Sequence, residues 1–320
     1  MADTVVQNVH TNAALTNLSL SWTPEGMIAR KIIHTIPVKH ESDFYYRWRA
    51  ADRMRRVDTR RADGTRANMV AFGFERDSYL CEEYALEAAT TKRERDNADS
   101  ILMLESNKTR GVQGLVELDL EARVAALFTS TANYASTNWL NVGSVATNQW
   151  NNASFAGSIE KVFTSAKDAV RLGTYNNAGV QWAIIPQPVA DVIKLDAKVR
   201  DMIKYTDSTL LVNGDLPPRI WNLSVVIPTA VEQTGIDVFG AADPLTGRTD
   251  VWGKHVVLTM QPHAPGMDQL AHAYIFQARP WLVTQWEDQS IDTTFYRVGY
   301  IQTEKIVCNT AGYLLQNVIA

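Results

Sequence analysis

Only two cysteines, Cys81 and Cys308, occur in 320 residues. That number excludes a fold stapled by disulfides and suits two reduced thiols in a reducing compartment. No apolar run approaches the roughly 20 residues of a spanning helix, so no membrane is expected as a partner. The first twenty residues lack a basic stretch followed by an apolar one, the pattern of a secretory leader. The chain is therefore expected to be cytosolic when made, and the sequons at Asn17, Asn107, Asn152 and Asn222 carry no expectation of glycosylation. Phosphate-loop, dinucleotide, nucleophile-elbow, H-E-x-x-H and C-x-x-C motifs are all missing. The six histidines are scattered, and His255 and His263, eight apart across Pro262, do not have zinc-ligand spacing. Glu82-Glu83 and Glu287-Asp288 are paired carboxylates, but adjacent strand residues face opposite ways, which suits solvated charge better than glycoside chemistry. Nine tryptophans form no cluster along the chain. No catalytic residue, cofactor or metal is expected.

What is present is an ordinary globular composition, 46% hydrophobic and 21% charged, long enough for two domains or for one core with long extensions. The net charge of −4 excludes a polycation, so any grip on nucleic acid would have to be local. One stretch could supply it. RWRAADRMRRVDTRRADGTR holds Arg47, Arg49, Arg53, Arg55, Arg56, Arg60, Arg61 and Arg66 with three aspartates and no lysine, a net of +5. The planar guanidinium fork pairs equally well with phosphate and carboxylate. A single-strand platform would alternate rings with cations along one groove. Here the aspartates Asp52, Asp58 and Asp63 punctuate the run instead, which suits a protein partner of complementary charge.

Along the chain, residues 1 to about 40 are polar and aperiodic, an arm that needs a partner to hold it. Phe44 to Trp48 reads as an aromatic strand, and Asp63-Gly64 marks a hairpin turn. The following segment alternates loosely with both faces mixed, so the hairpin lacks a core and should rest on a neighbour. From Ser100 to Phe128, Val112, Val116, Leu120, Val124, Leu127 and Phe128 repeat at helical spacing. Gly111 and Gly114 predict a bend or two consecutive helices there. Asn133 to Asn152 reads as a long loop. A helix follows with Ser158 as N-cap and Gly173 as its stop, then the strand VQWAII. PQPVADVIKLDAKVRDMIKY predicts one further helix, and PPRIWNLSVVIP and VWGKHVVLTM supply strands. HAYIFQARPWLVTQW and TTFYRVGYIQTEKIVCNT predict an extended ribbon, with Tyr296, Val298 and Tyr300 on one face and Arg297, Thr303 and Lys305 on the other. The order is that of an α+β fold.

This succession resembles the major capsid proteins of tailed double-stranded-DNA bacteriophages, which share the Hong Kong 97 phage capsid fold. The resemblance covers nearly the whole chain and is most specific in three places: ARKIIHTIPVKHESDFYYRW leading into the hairpin, the helix GLVELDLEARVAALF, and WNLSVVIPTA followed by DVWGKHVVLTM. It implies an N-terminal arm (1–40), an E-loop hairpin with its flanks (41–91), a peripheral domain with a spine helix and long strands (92–139 and 269–309), and an axial domain (140–268 and 310–320). It further implies a subunit that assembles with itself into pentamers and hexamers of an icosahedral head. That head encloses double-stranded DNA without sequence-specific binding. The subunit would be found in the virion, and in the host cytoplasm during assembly.

On this resemblance the arginine run is an intersubunit arm, with Glu82, Glu83, Glu287 and Asp288 of neighbouring copies as candidate partners. Some members of the family cross-link an E-loop lysine to an asparagine, but no lysine lies between Lys39 and Lys92. Stability is expected instead from noncovalent contacts or a decoration protein. About forty residues precede the hairpin, so a separate scaffolding protein is expected, together with a portal. The residues leave open an encapsulin-like nanocompartment shell, a nucleic-acid-binding module using the arginine run, and a carbohydrate-active enzyme.

Overall fold

The computed structural model describes residues 10–11, 26–48, 52, 54–97, 103–174, 180–203, 216–233, 247–262 and 270–320. Most of the arm, Arg49, Arg53 and the expected helix start at Ser100 lie outside the described residues.

In chain order the strands are β1 (His10–Thr11), β2 (His34–Pro37), β3 (Ser42–Trp48), β4 (Phe74–Leu80), β5 (Glu82–Thr91), β6 (Trp139–Asn141), β7 (Trp182–Ile184), β8 (Arg219–Ile220), β9 (Leu223–Val226), β10 (Val231–Gln233), β11 (Arg248–Asp250), β12 (Val256–Thr259), β13 (Ala273–Asp288), β14 (Thr293–Ile306) and β15 (Gly312–Gln316). They form two main sheets. One has β13 and β14 as its long antiparallel centre, with β5 antiparallel on the far side of β14 and both β1 and β2 on the far side of β13. The other runs in the order β6-β15-β12-β7-β9-β8. Two ribbons stand apart, β3–β4 and β10–β11.

The β13–β14 ribbon is as long as its sequence predicts, and Tyr296, Val298 and Tyr300 are buried on one face. Its ladder slips between Gln277 and Leu282, around Pro280, which has no N–H to give. The described pieces of the arm are held by their own chain, because β1 and β2 both pair with β13.

A 26-residue helix, Leu104–Thr129, lies across both sheets. Its stripe works in two halves. Val112 and Val116 pack with Trp281, Val283, Tyr296, Val298 and Tyr300 of the ribbon. Leu120, Val124 and Phe128 pack with Trp252, Val257, Ile275 and Leu314, where the two sheets meet. The alternative of two consecutive helices at Gly111 and Gly114 is not what forms, since the helix is continuous. Each glycine costs a helix about 1 kcal/mol, less than burying one valine returns, so the packed stripe carries the helix through them.

The six-stranded sheet is covered by the helices Ile159–Gly173 and Gln187–Leu195. Their Phe163, Ala166, Val170, Val189 and Ile193 bury against Val256, Leu258 and Leu315. Ser158 stands at the N-cap of the first of these helices as expected, with extended backbone, though its side chain makes no cap bond. Two expectations are corrected in this region. The single helix expected after Pro186 is two, Gln187–Leu195 and Ala197–Ile203. Asp196 causes the break, since its Oδ1 accepts the N–H groups of Lys198 (2.8 Å) and Val199 (3.1 Å) and so caps the second helix. The long loop expected at 133–152 contains β6 and two short 3₁₀ turns, with a third, Thr131–Asn133, leading into it. Asn138 there is buried and donates to the carbonyls of Thr310 and Gly312, both at 3.0 Å. A polar side chain thus pins β6 beside β15 in a segment whose composition reads as loop.

Candidate assembly interface

The arginine run lies between β3 and β4. Alternation gives this ribbon two faces. On one, Tyr45 and Tyr79 meet Phe276 of β13, with ring centroids 5.3 and 4.7 Å apart. Lys305 of β14 closes the contact. Its Nζ lies 3.0 Å from Asp77 Oδ2, donates to the Ser78 carbonyl and sits 5.5 Å from the centre of the Tyr45 ring. Arg47 joins Glu75 across the ribbon at 2.7 Å and donates to the carbonyl of Val307. Partial burial works against ionisation of Asp77, but hydrogen bonds from Lys305, the Ser78 N–H and Tyr45 hold its carboxyl below the usual range. Burial and the bond to Asp77 push the Tyr45 phenol upward. This face clamps the base of the ribbon to its own body.

The other face is bare. Phe44 is 51% exposed and Phe74 59%, and Tyr46 stands between them, edge-on to Phe74. Arg76 lies over Phe44, 4.3 Å from its ring centre. Beyond β3, Met69 and Phe72 are also exposed. Contiguous exposed aromatics on a clamped ribbon mark a surface built for contact. The sequence read both faces of the second flank as mixed; pairing Phe44 with Ser78 and Tyr46 with Arg76 collects Phe44, Tyr46 and Phe74 on one side.

Between the strands, the aspartates of the run serve the loop itself. Asp52 accepts the Gly73 N–H at 2.8 Å, and Asp58 accepts the Arg60 N–H at 2.9 Å. Asn68 donates to the Asp58 carbonyl at 2.8 Å. The turn falls at Asp63-Gly64 as expected, with Gly64 at φ +74°. Arg61 donates to the Thr65 carbonyl at 2.6 Å. Arg55, Arg56, Arg60, Arg61 and Arg66 are exposed and form no ion pair with any described residue. Asp58 and Asp63 are exposed among them, so both signs stay on the loop surface with the arginines in excess.

The candidate carboxylates lie elsewhere on the subunit. Glu82 and Glu83 are exposed on β5, where Glu82 accepts the Tyr84 hydroxyl at 2.9 Å. Glu287 and Asp288 end β13, and Asp288 accepts the N–H and hydroxyl of Ser290 at 2.9 and 2.6 Å, bonds that lower its pKa. No ion pair joins any of the four to the described arginines of the run within the subunit.

Sequence reasoning missed a second group, which fixes the arm. On the long helix, Glu121 is fully buried. Its Oε2 accepts the N–H groups of Ile28 (2.9 Å) and Ala29 (2.8 Å), and its Oε1 accepts the Trp252 indole N–H at 2.6 Å. One turn earlier, Glu117 binds Arg30 Nε at 3.0 Å, and that guanidinium also lies 5.4 Å from the Tyr300 ring centre. The i, i+4 spacing of the two glutamates was the available signal.

Among the described residues no group of three His, Cys, Asp or Glu side chains could hold a metal ion. No known family profile matches the sequence, and no curated protein does. Solved structures do. A phage-related protein from Bordetella bronchiseptica RB50 aligns over 98% of both chains with a TM-score of 0.72 at 20% identity. The capsid of cyanophage P-SCSP1u aligns over 89% of this chain and 85% of its own, with a TM-score of 0.59 at 11% identity. A structure of mycobacterium phage Che8 aligns over 100% and 97%, with a TM-score of 0.55 at 13% identity. The chain has the Hong Kong 97 phage capsid fold. Phage capsids are among the solved structures that share it.

Proposed function

We propose that this chain is the major capsid protein of a tailed phage, a structural subunit that closes into an icosahedral head of pentamers and hexamers around double-stranded DNA. The observation that carries this reading is the β3–β4 ribbon: one face is clamped to its own body and the other presents bare aromatics beside five exposed arginines, on a fold shared with phage capsids over nearly the whole chain. In this assignment the ribbon, with the loop it carries, is the arm laid over the adjacent copy. The β13–β14 sheet and long helix form the peripheral domain, and the six-stranded sheet forms the axial domain. Because β5 pairs with β14, we place it with the peripheral sheet and end the hairpin at Leu80. Scaffold, portal and decoration proteins would be its partners.

The two halves of the contact differ in strength. Exposed ion pairs contribute about 0 to 1 kcal/mol each, whereas fully burying a phenylalanine contributes about 1.5 to 3 kcal/mol. The aromatics should therefore supply affinity and the arginines orientation and rate. Two variants test this. Replacing Arg55, Arg56, Arg60 and Arg61 with Ser, or Phe44 and Phe74 with Ser, should leave the subunit folded by circular dichroism and impair assembly. The phenylalanine pair should raise the protein concentration needed for assembly more than tenfold. Normal shells from both variants would refute an intersubunit role for the ribbon.

A further inference from the structure

β5 is the outer strand of its sheet, and its far edge is open. It pairs with β14 on one side and, among the described residues, with no strand on the other. Near its end the Ala89 carbonyl accepts Lys108 Nζ at 2.6 Å and the Thr91 N–H donates to Glu94 Oε2 at 3.2 Å, so the backbone groups of both face away from β14. Alternation then turns the N–H and carbonyl of Glu83, Ala85 and Glu87 to that same open side. The packing agrees: a Cβ on Gly299 would lie 2.7 Å from Ala85 Cβ, the closeness of an antiparallel pair that exchanges no hydrogen bonds. Glu83, Ala85 and Glu87 are all exposed. A row of unpaired backbone groups flanked by Glu82, Glu83 and Glu87 is a template for one more strand. The arginine loop is its counterpart. Residues 55–73 form no strand, and among the described residues their one backbone–backbone bond joins the Thr65 N–H to the Ala62 carbonyl. Of the two legs, the first carries Arg55, Arg56, Arg60 and Arg61, and the second Arg66 alone.

We propose that residues 55–61 of a second copy add to this edge as an antiparallel strand, with Asp58 opposite Ala85. The inference rests on the shell reading above and names the surface that receives the arm. Its register follows from charge. Glu83 and Glu87 are four residues apart, and so are Arg56 and Arg60, with Ala85 midway in the first pair and Asp58 midway in the second. Setting Asp58 against Ala85 places Arg56 on Glu87, Arg60 on Glu83 and Arg61 on Glu82. A slip of two residues either way sets Asp58 against a glutamate. The other face matches as well, because Val57 falls on Leu86, which is 43% exposed. A parallel strand would match the charges but put Thr59 on Leu86, and its ladder is slightly less stable. Glu87 already accepts a bond from Arg297 of its own subunit, and its carboxylate has room for a second guanidinium. Docking exchanges the bonds that hold Asp58 in the free loop, with the Arg60 N–H and the Asn68 amide, for ladder bonds.

Disulfides between copies test the register. Full-length subunits carrying Val57→Cys are co-assembled with subunits carrying Leu86→Cys, oxidised, and separated on a denaturing, non-reducing gel. Residues directly opposite on paired strands lie within the roughly 7 Å between Cα atoms that a disulfide spans. The native Cys81 and Cys308 are buried and should add little background. A dimer band is expected, at least tenfold stronger than from Thr59→Cys with Leu86→Cys, the pair that a parallel strand would join. Arg60→Glu and Glu83→Arg, both at exposed positions, should each raise the protein concentration needed for assembly at least threefold, and the two together in one chain should restore it. Shells without the dimer band, a stronger band from Thr59→Cys, or a double reversal no better than either single one would overturn the pairing and leave the shell reading intact. Wild-type subunits that build no shell would overturn both.

Discussion

Glu121 offers the sharpest test of how the arm is held to the body. The carboxylate is fully buried and pairs with no described cation, while Arg30 pairs with Glu117 one turn away. Three N–H groups point at it, two from the arm and one from Trp252. Glu121→Ala strands all three donors in a dry site. At about 1 to 3 kcal/mol per stranded donor, with some relief from no longer burying a charge, a loss of about 3 to 5 kcal/mol is expected. Glu121→Gln keeps the volume but offers one acceptor oxygen and one NH₂, so the amino end faces a donor, and a loss of about 1 to 3 kcal/mol is expected.

The pH dependence carries a definite sign. Burial raises the Glu121 pKa, and the bonds from Trp252, Ala29 and Ile28 offset this only in part. A carboxyl whose folded pKa exceeds its unfolded value of about 4.5 binds protons more readily when folded. Its contribution is therefore fully present below pH 4.5 and is lost as pH rises through the folded pKa. The assay is urea unfolding of the unassembled subunit, followed by tryptophan fluorescence from pH 4.5 to 7.5. The stability gap between wild type and Glu121→Gln should be widest at the acid end and narrow as pH rises. A gap that widens with pH would show that the site stabilises the carboxylate, and would refute this reasoning.

Two further outcomes follow from His272. A Cβ on Gly312 would lie 2.4 to 2.7 Å from three atoms of that ring, so Gly312→Ala should cost about 1 to 3 kcal/mol in the same assay, and an unchanged urea midpoint would contradict the close packing. Burial pushes the His272 pKa down to about 3, so its contribution is present above about pH 6.5 and lost as pH falls toward 3, at up to about 1.4 kcal/mol per pH unit. His272→Gln should remove that acid slope, and an identical slope in the variant would show that His272 titrates freely.

Much of this architecture can be read from side-chain periodicity. The long helix follows from Val112, Val116, Leu120, Val124 and Phe128, and the β13–β14 ribbon from the alternation of Tyr296, Val298 and Tyr300, because each pattern is the core-facing side of one element. The parts that could not be read depend on contacts distant in sequence. β6 is hidden in an Asn-rich segment because Asn138 binds carbonyls more than 170 residues away. The break at Asp196 was visible as a cap residue, yet the strong helix formers around it masked it. Glu121, beside Asp119 and Glu117, reads as solvated charge until the arm folds back onto it. At the ribbon, the arginines are as exposed as their charge implies, but Asp52 and Asp58 also bond backbone N–H groups of their own loop, and the bare aromatic face emerges only from the β3–β4 register.

The central claim is that this chain builds a closed shell, and electron microscopy of the purified protein, expressed alone and together with the genes beside its own, tests it most directly. Closed icosahedral shells, or rings of five and six subunits, are the predicted result. Monodisperse monomers under both conditions would contradict it.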